Sequence, residues 1–254
     1  METRHSLDWD NTFAAIWRSR RDYLRPVRHI DPVSLQQLVG IDSQKERMTA
    51  NTLRFLQGKP ANNAILWGAR GTGKSSLIKG LLNEYKGQGL RLIQVDKDDL
   101  VDLPEIVDFI RDSQYRFIVY CDDISFEAAE SGYKALKSAI EGSIEQPPEN
   151  VLIYVTSNRR HLLPEYMQEN LQARLVDGEI HHGDAMEEKI SLSERFGLWI
   201  GFYQMDIEQY LAVVDSYFPR HADRKQLHAA AVEFARLRGS HSGRTAKQFF
   251  NSFS

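Results

Sequence analysis

The sequence contains very little cysteine, no long apolar run and no large excess of charge of either sign. Cys121 is the only cysteine among 254 residues, which excludes an internal disulfide and favours a reducing compartment. No apolar run approaches the roughly 20 residues of a membrane-spanning helix, and the polar first residues lack the apolar core of a signal peptide. We therefore predict a cytoplasmic protein with no membrane contact.

The charge balance argues against a uniformly basic protein. Lysine and arginine together number 32 and the acidic residues number 35, so the net charge is −3. A strongly positive net charge would favour binding to nucleic acid. Because this chain lacks one, its net charge does not support nucleic-acid binding, which stays an open alternative. The length suits one domain of medium size with a smaller one beside it.

Short apolar runs alternate with helical patterns along most of the chain. The predicted strands are residues 64–67, 90–95, 117–121, 151–155 and 198–202. Runs that are apolar throughout are typical of parallel strands buried on both faces, so this alternation predicts an α/β fold. Past residue 203 only helical spacing continues, and residues 204–254 are expected to form a small all-α unit.

The first 38 residues have a different character. Trp9, Phe13, Ile16 and Trp17 follow the i, i+4, i+7, i+8 spacing of one helix face. This aromatic stripe predicts an N-terminal helical extension that packs on the main domain. Arginines at positions 18, 20, 21, 25 and 28 follow it, so a docking arm for a partner or for nucleic acid remains an alternative.

A phosphate-binding loop is the strongest motif in the chain. Its residues are Gly68, Ala69, Arg70, Gly71, Thr72, Gly73, Lys74 and Ser75, followed by Ser76. They fit G-x-x-x-x-G-K-[ST] between a predicted strand and a predicted helix. Glycines let backbone N–H groups turn inward around an anion, and the positive end of the following helix adds to the attraction.

Two side chains of this loop have distinct chemical roles in the prediction. The Lys74 ammonium is a mobile cation for the β- and γ-phosphates, and the Ser75 hydroxyl can bind Mg²⁺. The alternative, a chance glycine-rich turn, explains neither the flanking strand nor the helix. The loop therefore predicts binding of ATP or ADP with Mg²⁺.

Polar residues follow two later predicted strands. Asp122 and Asp123 end the run 117–121, and we expect Asp122 to hold hydrated Mg²⁺ and Asp123 to polarise the attacking water. Asn158 follows the run 151–155, and its amide is expected to hydrogen-bond that water or the γ-phosphate. The alternatives are that the acids cap the next helix and that Ser157 and Asn158 form an ordinary turn.

The order of these motifs resembles that of AAA+ ATPases from about residue 38 to the C-terminus. This resemblance implies a five-stranded parallel P-loop sheet, order 5-1-4-3-2, in an αβα sandwich with a small C-terminal helical lid. It also implies that Val39, Gly40 and Ile41 contact adenine. The expected division is an extension over 1–38, a nucleotide-binding domain over 39–203 and the lid over 204–254.

The resemblance also implies roles for two arginines. Arg195, just before the fifth strand, corresponds to the arginine finger that reaches a neighbouring subunit's nucleotide, and Arg244 corresponds to the second sensor in the lid. Arg159 and Arg160 are rival candidates for the finger. A surface ion pair at Arg195 and a simple helix N-terminal charge at Arg244 are the alternatives.

The functional hypothesis is an ATPase with Mg²⁺ at its site, acting as a homo-oligomer with nucleotide at subunit interfaces. The chain resembles a bacterial AAA+ family of unknown function, and its Asp122–Asp123 pair is similar to that of replication initiators and some helicase loaders. The task and the protein partner are not implied. A nucleotide-gated binding module with slow turnover remains the alternative, whereas no acceptor-site motif supports a small-molecule kinase.

Overall fold

Strands that are apolar on both faces assemble into a single sheet. The computed structural model describes residues 7–124, 130–142, 144–158, 192 and 194–253. The strands are β1 Ala14–Arg18, β2 Tyr23–Pro26, β3 Ala64–Gly68, β4 Leu90–Val95, β5 Arg116–Cys121, β6 Val151–Ser157 and β7 Leu198–Phe202.

Helices lie between and after these strands. Those of eight residues or more are α1 Asp42–Leu56, α2 Lys74–Tyr85, α3 Leu103–Ile110, α4 Glu130–Glu141, α5 Ile207–Tyr217, α6 Arg224–Arg238 and α7 Gly243–Ser252. Within the described ranges, none of the helices has both the length and the apolar character needed to cross a bilayer.

The strand order is β2-β1-β4-β5-β6-β3-β7. The five predicted strands are neighbours in the predicted order, and every pair among them is parallel. The expectation of a five-stranded sheet was wrong in number, since β1 and β2 extend the sheet beyond β4. Mostly parallel strands with connecting helices form the expected α/β fold.

The prediction of an N-terminal helix from the aromatic stripe was wrong. Residues 14–18 form a strand that pairs in parallel with β4 and antiparallel with β2. Ala15 and Trp17 enter the core on one face of the sheet, and Ala14 enters it on the other. Residues 14–18 form a strand because they pair with an open sheet edge and are buried on both faces. The helix-like spacing of the aromatic residues therefore did not predict the conformation.

Alternate residues of the central strands supply two separate cores. Ile65, Val119 and Val155 belong to the cluster on the face covered by α3. Leu66, Ile118 and Tyr154 belong to the cluster on the face covered by α1 and α2. The carboxyl ends of these strands consequently stand at one edge of a sheet that is fixed from both sides.

The C-terminal helices have an apolar cluster of their own. Tyr210 of α5, Leu227 of α6 and Phe249 of α7 are among its buried members. The described part of residues 204–254 contains helices and turns. The division of the chain at residues 38 and 203 stays a prediction.

A buried arginine of the sheet binds the N-terminal segment. Arg91 of β4 is 3% exposed, and its guanidinium lies over the rings of Phe13 at 4.9 Å and Tyr115 at 3.8 Å. Its Nε donates to the Trp9 carbonyl at 2.8 Å, and a second nitrogen donates to the Lys86 carbonyl at 3.0 Å. Planar stacking and a fixed fork of donors are both needed for this arrangement.

We expect Arg91→Ala to lower the free energy of unfolding by about 2–4 kcal/mol, because two rings lose a stacked cation and buried carbonyls lose their donors. Arg91→Lys should recover little of this, since an ammonium has neither the plane nor the fork. Urea unfolding followed by circular dichroism measures both changes. The exposed Arg236 is the matched control, and an Arg91→Ala change as small as that of Arg236→Ala would contradict the assignment.

Candidate functional site

A cavity of about 850 Å³ lies where the phosphate loop, the carboxyl edge of the sheet and the C-terminal helices meet. Its volume is that of a pocket for a molecule of nucleotide size. The predicted residues that line it are Val39, Ile41, Arg70, Gly71, Thr72, Gly73, Lys74, Ser75, Ser76, Asp122, Asp123, Asn158 and Arg244. Gly40, Gly68 and Ala69 stand beside it, whereas Arg195 does not line it.

The phosphate loop needs glycine at particular positions. Gly68 has φ 128°, and a Cβ there would lie 1.9 Å from the Phe202 carbonyl oxygen of β7. Gly73 has φ 101° and is the residue before α2. An L side chain would be strained at both places. The loop can therefore pass close to β7 and then start a helix whose first N–H groups face the cavity.

The ammonium of Lys74 is buried and binds the loop itself. It is 6% exposed, and its Nζ donates to the carbonyls of Gly68 at 2.8 Å and Ala69 at 2.7 Å and to Asn158 Oδ1 at 3.1 Å. Burial lowers the pKa of Lys74 to about 8, although the carboxylates of Asp122 and Asp123 oppose that change. Within the described ranges these hydrogen-bond acceptors are neutral, so an anionic phosphate oxygen in the cavity would be a stronger partner.

Asp122 receives two hydroxyl hydrogen bonds on one oxygen. Ser75 Oγ donates to Asp122 Oδ1 at 2.9 Å, and Thr156 Oγ1 donates to the same atom at 2.6 Å. Burial alone would raise the pKa of Asp122, but these hydrogen bonds outweigh it and the pKa is lowered. An ionised carboxylate beside a hydroxyl oxygen is a donor set that fits hydrated Mg²⁺.

Thr156 also holds the neighbouring acid. Its Oγ1 accepts a hydrogen bond from the Asp123 backbone N–H at 2.9 Å, and the threonine is 1% exposed. Asp123 has φ 55°, a left-handed conformation that aspartate tolerates better than most residues. One buried hydroxyl thus positions both acids, a role that sequence reasoning missed because a threonine at the end of a strand is unremarkable.

Asn158 joins the lysine to the second acid. Its Oδ1 accepts from Lys74 and its Nδ2 donates to Asp123 Oδ1. The Arg70 guanidinium lies 3.6 Å from the other oxygen of Asp123. The structure therefore brings Lys74, Asp123 and Asn158 into one connected group at the edge of the cavity, as expected if they act on the same phosphate and water.

The C-terminal helices touch the phosphate loop directly. The Gly243 N–H at the start of α7 donates to the Gly71 carbonyl at 3.0 Å, and Ser242 caps the helix. A Cβ on Gly71 would lie 2.9 Å from Ser242 Oγ. Arg244, in the first turn of α7, lines the cavity beside the loop, and its role as second sensor stays a prediction.

Arg195 lies away from the cavity of its own subunit. Its guanidinium forms an ion pair with Glu141 of α4, so the ion-pair alternative is present at this position. The rival candidates Arg159 and Arg160 lie outside the described residues.

Several lining residues were not predicted from the sequence. The N-terminal segment contributes Asp31, Pro32, Val33, Gln37 and Leu38, α2 contributes Lys79, and the C-terminal part contributes Met205, Val213, Ser216, Tyr217 and Lys247. No motif marks these positions, because they reach the cavity only through packing of distant segments.

Side chains of α2 hold the N-terminal wall in place. Asn83 Nδ2 donates to the carbonyls of Asp31 at 2.7 Å and Val33 at 2.9 Å. Lys79 Nζ lies 3.1 Å from Asp31 Oδ2. The helix that begins at the phosphate loop therefore also fixes a second wall of the same cavity.

Replacing Thr156 with valine should impair metal binding while leaving the fold intact. The Asp122 oxygen loses one of its two hydroxyl donors and the Asp123 N–H loses its acceptor. Losing such a supporting contact typically costs 10- to 100-fold in metal affinity. We expect the Mg²⁺ concentration for half-maximal binding of a fluorescent ATP analogue to rise at least about tenfold. Thr156→Ser keeps the hydroxyl and should stay near wild type. Equal Mg²⁺ dependence in Thr156→Val and wild type would show that the hydroxyl is dispensable.

Known proteins with a similar sequence or fold support the same architecture. Residues 10–254 match a family described as "Protein of unknown function (DUF815)", and none of the curated proteins matches the sequence. The chain is similar to the RuvB Holliday junction branch migration motor of Thermotoga maritima, with 15% identity and a TM-score of 0.55 over 87% of this chain and 64% of that one.

Two variants of that motor are similar to the same degree. One has 14% identity and a TM-score of 0.57 over 88% of this chain and 65% of that one. The other has 14% identity and a TM-score of 0.58 over 87% and 64%. The chain spans less than two thirds of the motor's length, and at such identities the likeness concerns the fold alone. The chain belongs to the DUF815 family and has the fold of the AAA+ P-loop ATPases.

Proposed function

We propose that this protein is an ATPase that hydrolyses ATP with Mg²⁺ at the cavity and works as a homo-oligomer. The observation that carries the proposal is the convergence of Lys74, Ser75, Asp122, Asp123 and Asn158 on one cavity of nucleotide size. An α/β fold of this kind supports a nucleotide-binding module. Hydrolysis, the metal and the oligomer are further steps that we infer from the side chains.

The roles follow from the chemistry of each group. The loop N–H groups and Lys74 bind the phosphates, and Lys74 exchanges its carbonyl acceptors for charged oxygens. Ser75 and Asp122 would hold Mg²⁺, which neutralises charge on the phosphate oxygens when it is bound. Asp123 accepts a hydrogen bond from the attacking water, and the Asn158 amide fixes the position of that carboxylate.

The walls of the cavity suit a nucleoside. Val39, Ile41, Met205 and Val213 provide apolar surface, and Tyr217 also lines the cavity. Apolar walls with a few polar groups are typical of sites that bind a planar base. Arg244 reaches the cavity from α7, so closure of the C-terminal helices over the nucleotide would bring its guanidinium to the phosphates.

Arg195 is proposed to complete the site of a neighbouring subunit. A guanidinium stabilises the charge that develops on the γ-phosphoryl oxygens, an effect of about 10³–10⁵ in rate where a finger has been measured. Arg195 does not line its own cavity and is held by Glu141, which would preset its direction. Activity then depends on assembly.

The task driven by the ATPase is proposed to be remodelling or loading of a partner that remains to be identified. The similar RuvB is named a branch migration motor, which favours a motor over a kinase. The alternative of a nucleotide-gated module with slow turnover rests on Asp123, whose carboxylate is one methylene shorter than glutamate and is already engaged by Arg70 and Asn158.

Single substitutions should separate binding from hydrolysis. We expect Lys74→Ala to lose nucleotide binding, because the buried cation is removed. Arg195→Ala should bind nucleotide as the wild type does and lose at least about 10³-fold in steady-state phosphate release. Isothermal titration calorimetry and a phosphate-release assay measure the two properties. Phosphate release by wild type below about one turnover per hour, against typical enzyme values of about 1–10³ s⁻¹, would instead favour the slow gated module.

Mixing the two inactive variants tests the action in trans. Arg195→Ala retains an intact cavity and Lys74→Ala retains an intact Arg195, so a mixed oligomer contains some complete interfaces. We expect the mixture to recover phosphate release that neither variant shows alone. Native mass measurement of each sample verifies co-assembly. A co-assembled mixture that stays inactive would rule out Arg195 as a finger acting between subunits.

A further inference from the structure

An arginine-rich hairpin stands at the edge of the sheet, apart from the nucleotide cavity. We call β1, β2, the turn between them and Arg28 the arginine hairpin. Residues 16–29 contain five arginines and one aspartate, a net charge of +4, whereas the whole chain has −3. The remaining residues therefore carry −7, and the hairpin is a strongly positive region of an otherwise negative molecule.

The hairpin's guanidinium groups have no carboxylate partner among the described residues. Arg18, Arg20, Arg21 and Arg28 are exposed, and none of them forms an ion pair within that part of the chain. Exposed guanidinium groups without a carboxylate partner in these ranges are available to an anionic ligand.

Protection of a sheet edge explains only part of this charge. Strand β2 is the last of the sheet, and charged side chains on an edge strand discourage pairing with other chains. That purpose accounts for Arg18 and Arg25, which lie in strands. It does not account for Arg20 and Arg21 in the turn or for Arg28 beyond β2.

The arginines form a ridge of defined length. The turn with Arg20 and Arg21 is at one end and Arg28 is at the other, and six residues of extended chain between them span about 20 Å. In duplex DNA the phosphates of one strand follow at about 3.4 Å along the axis. The ridge thus faces about six phosphates of one strand.

An aromatic ring accompanies the guanidinium groups. Tyr23 is the direct cross-strand partner of Arg18, so both side chains lie on the same face of the hairpin. Tyr23 is half-buried and presents part of its ring. Arginines interleaved with an aromatic ring can bind both the phosphates and the face of a base, a combination that anionic lipid headgroups or acidic peptides do not require.

The position of the hairpin sets the side from which a ligand arrives. Asp96, Asp98 and Asp99 follow β4 on the inner side of β1, so an anionic ligand would be repelled there and would contact the outer side along β2. Because β1 is parallel to β4, the turn stands at the same sheet edge as the phosphate loop. Four strand spacings, about 19 Å, separate them.

We propose that the arginine hairpin binds the sugar-phosphate backbone of a nucleic acid, with Tyr23 as a stacking surface. This surface is independent of the ATPase proposal, since it lies outside the cavity and its charge does not depend on a nucleotide. Contact with several phosphates makes the affinity strongly dependent on salt, with a slope of log K against log salt of about −0.7 per phosphate for a single strand and −0.9 for a duplex.

Fluorescence anisotropy of the full chain with labelled 20-nucleotide single strands and duplexes, without ATP, tests the proposal. Arg20→Gln with Arg21→Gln should weaken binding at least about tenfold in ~50 mM salt and reduce the slope by about 1.4 on single strands, corresponding to two lost phosphate contacts. Arg20→Lys with Arg21→Lys should keep most of the slope. Tyr23→Ala should weaken single-strand binding more than duplex binding.

The matched control is Arg236→Gln with Arg238→Gln, which removes the same charge from exposed positions at the end of α6. This control should bind like wild type. Equal loss in both double variants, or no binding by wild type in ~50 mM salt, would overturn the proposal. So would a hairpin variant that loses binding to phosphatidylserine vesicles, to polyglutamate or to its own copies while oligonucleotide binding is unchanged. Thermal unfolding of each variant checks that the fold is intact.

Discussion

The buried ammonium of Lys74 is the interaction on which the rest of the site depends. It is held by two carbonyls of its own loop and by Asn158, so the loop, the end of β6 and the start of α2 meet at one atom. Burial depresses its pKa to about 8, which means that the cation is kept in place against a desolvation cost. A phosphate that neutralises it would relieve this cost, so the cavity is suited to an anion.

Three separate parts of the chain close around that centre. Glycine conformations let the phosphate loop pass β7, the Gly71 carbonyl receives the first N–H of α7, and Asn83 of α2 fixes the segment at Asp31. Each contact joins a wall of the cavity to the phosphate loop or to its helix. A ligand that moves the loop would therefore move the C-terminal helices and the N-terminal segment with it.

The sheet explains why the central strands were predictable and the edge was not. Strands buried on both faces are apolar throughout, and β3 to β7 show this in the sequence. Residues 14–18 have the same two-sided burial, but their aromatic neighbours happened to match a helical spacing. Only the open edge of β4, together with the bond from Trp17 Nε1 to Asp102 and the stacked Arg91, selects the strand. Such contacts join residues more than 75 positions apart, and no local pattern encodes them.

The sequence by itself determined the phosphate loop, the acids after β5 and the alternation of strands and helices, because each depends on consecutive residues and their local conformations. The tertiary structure decided which other groups serve the site. Thr156 holds both acids, the segment at Asp31 forms a wall, and Arg195 is excluded from its own cavity. Packing across the sheet decides which of these residues meet, and the residue types alone do not predict that packing.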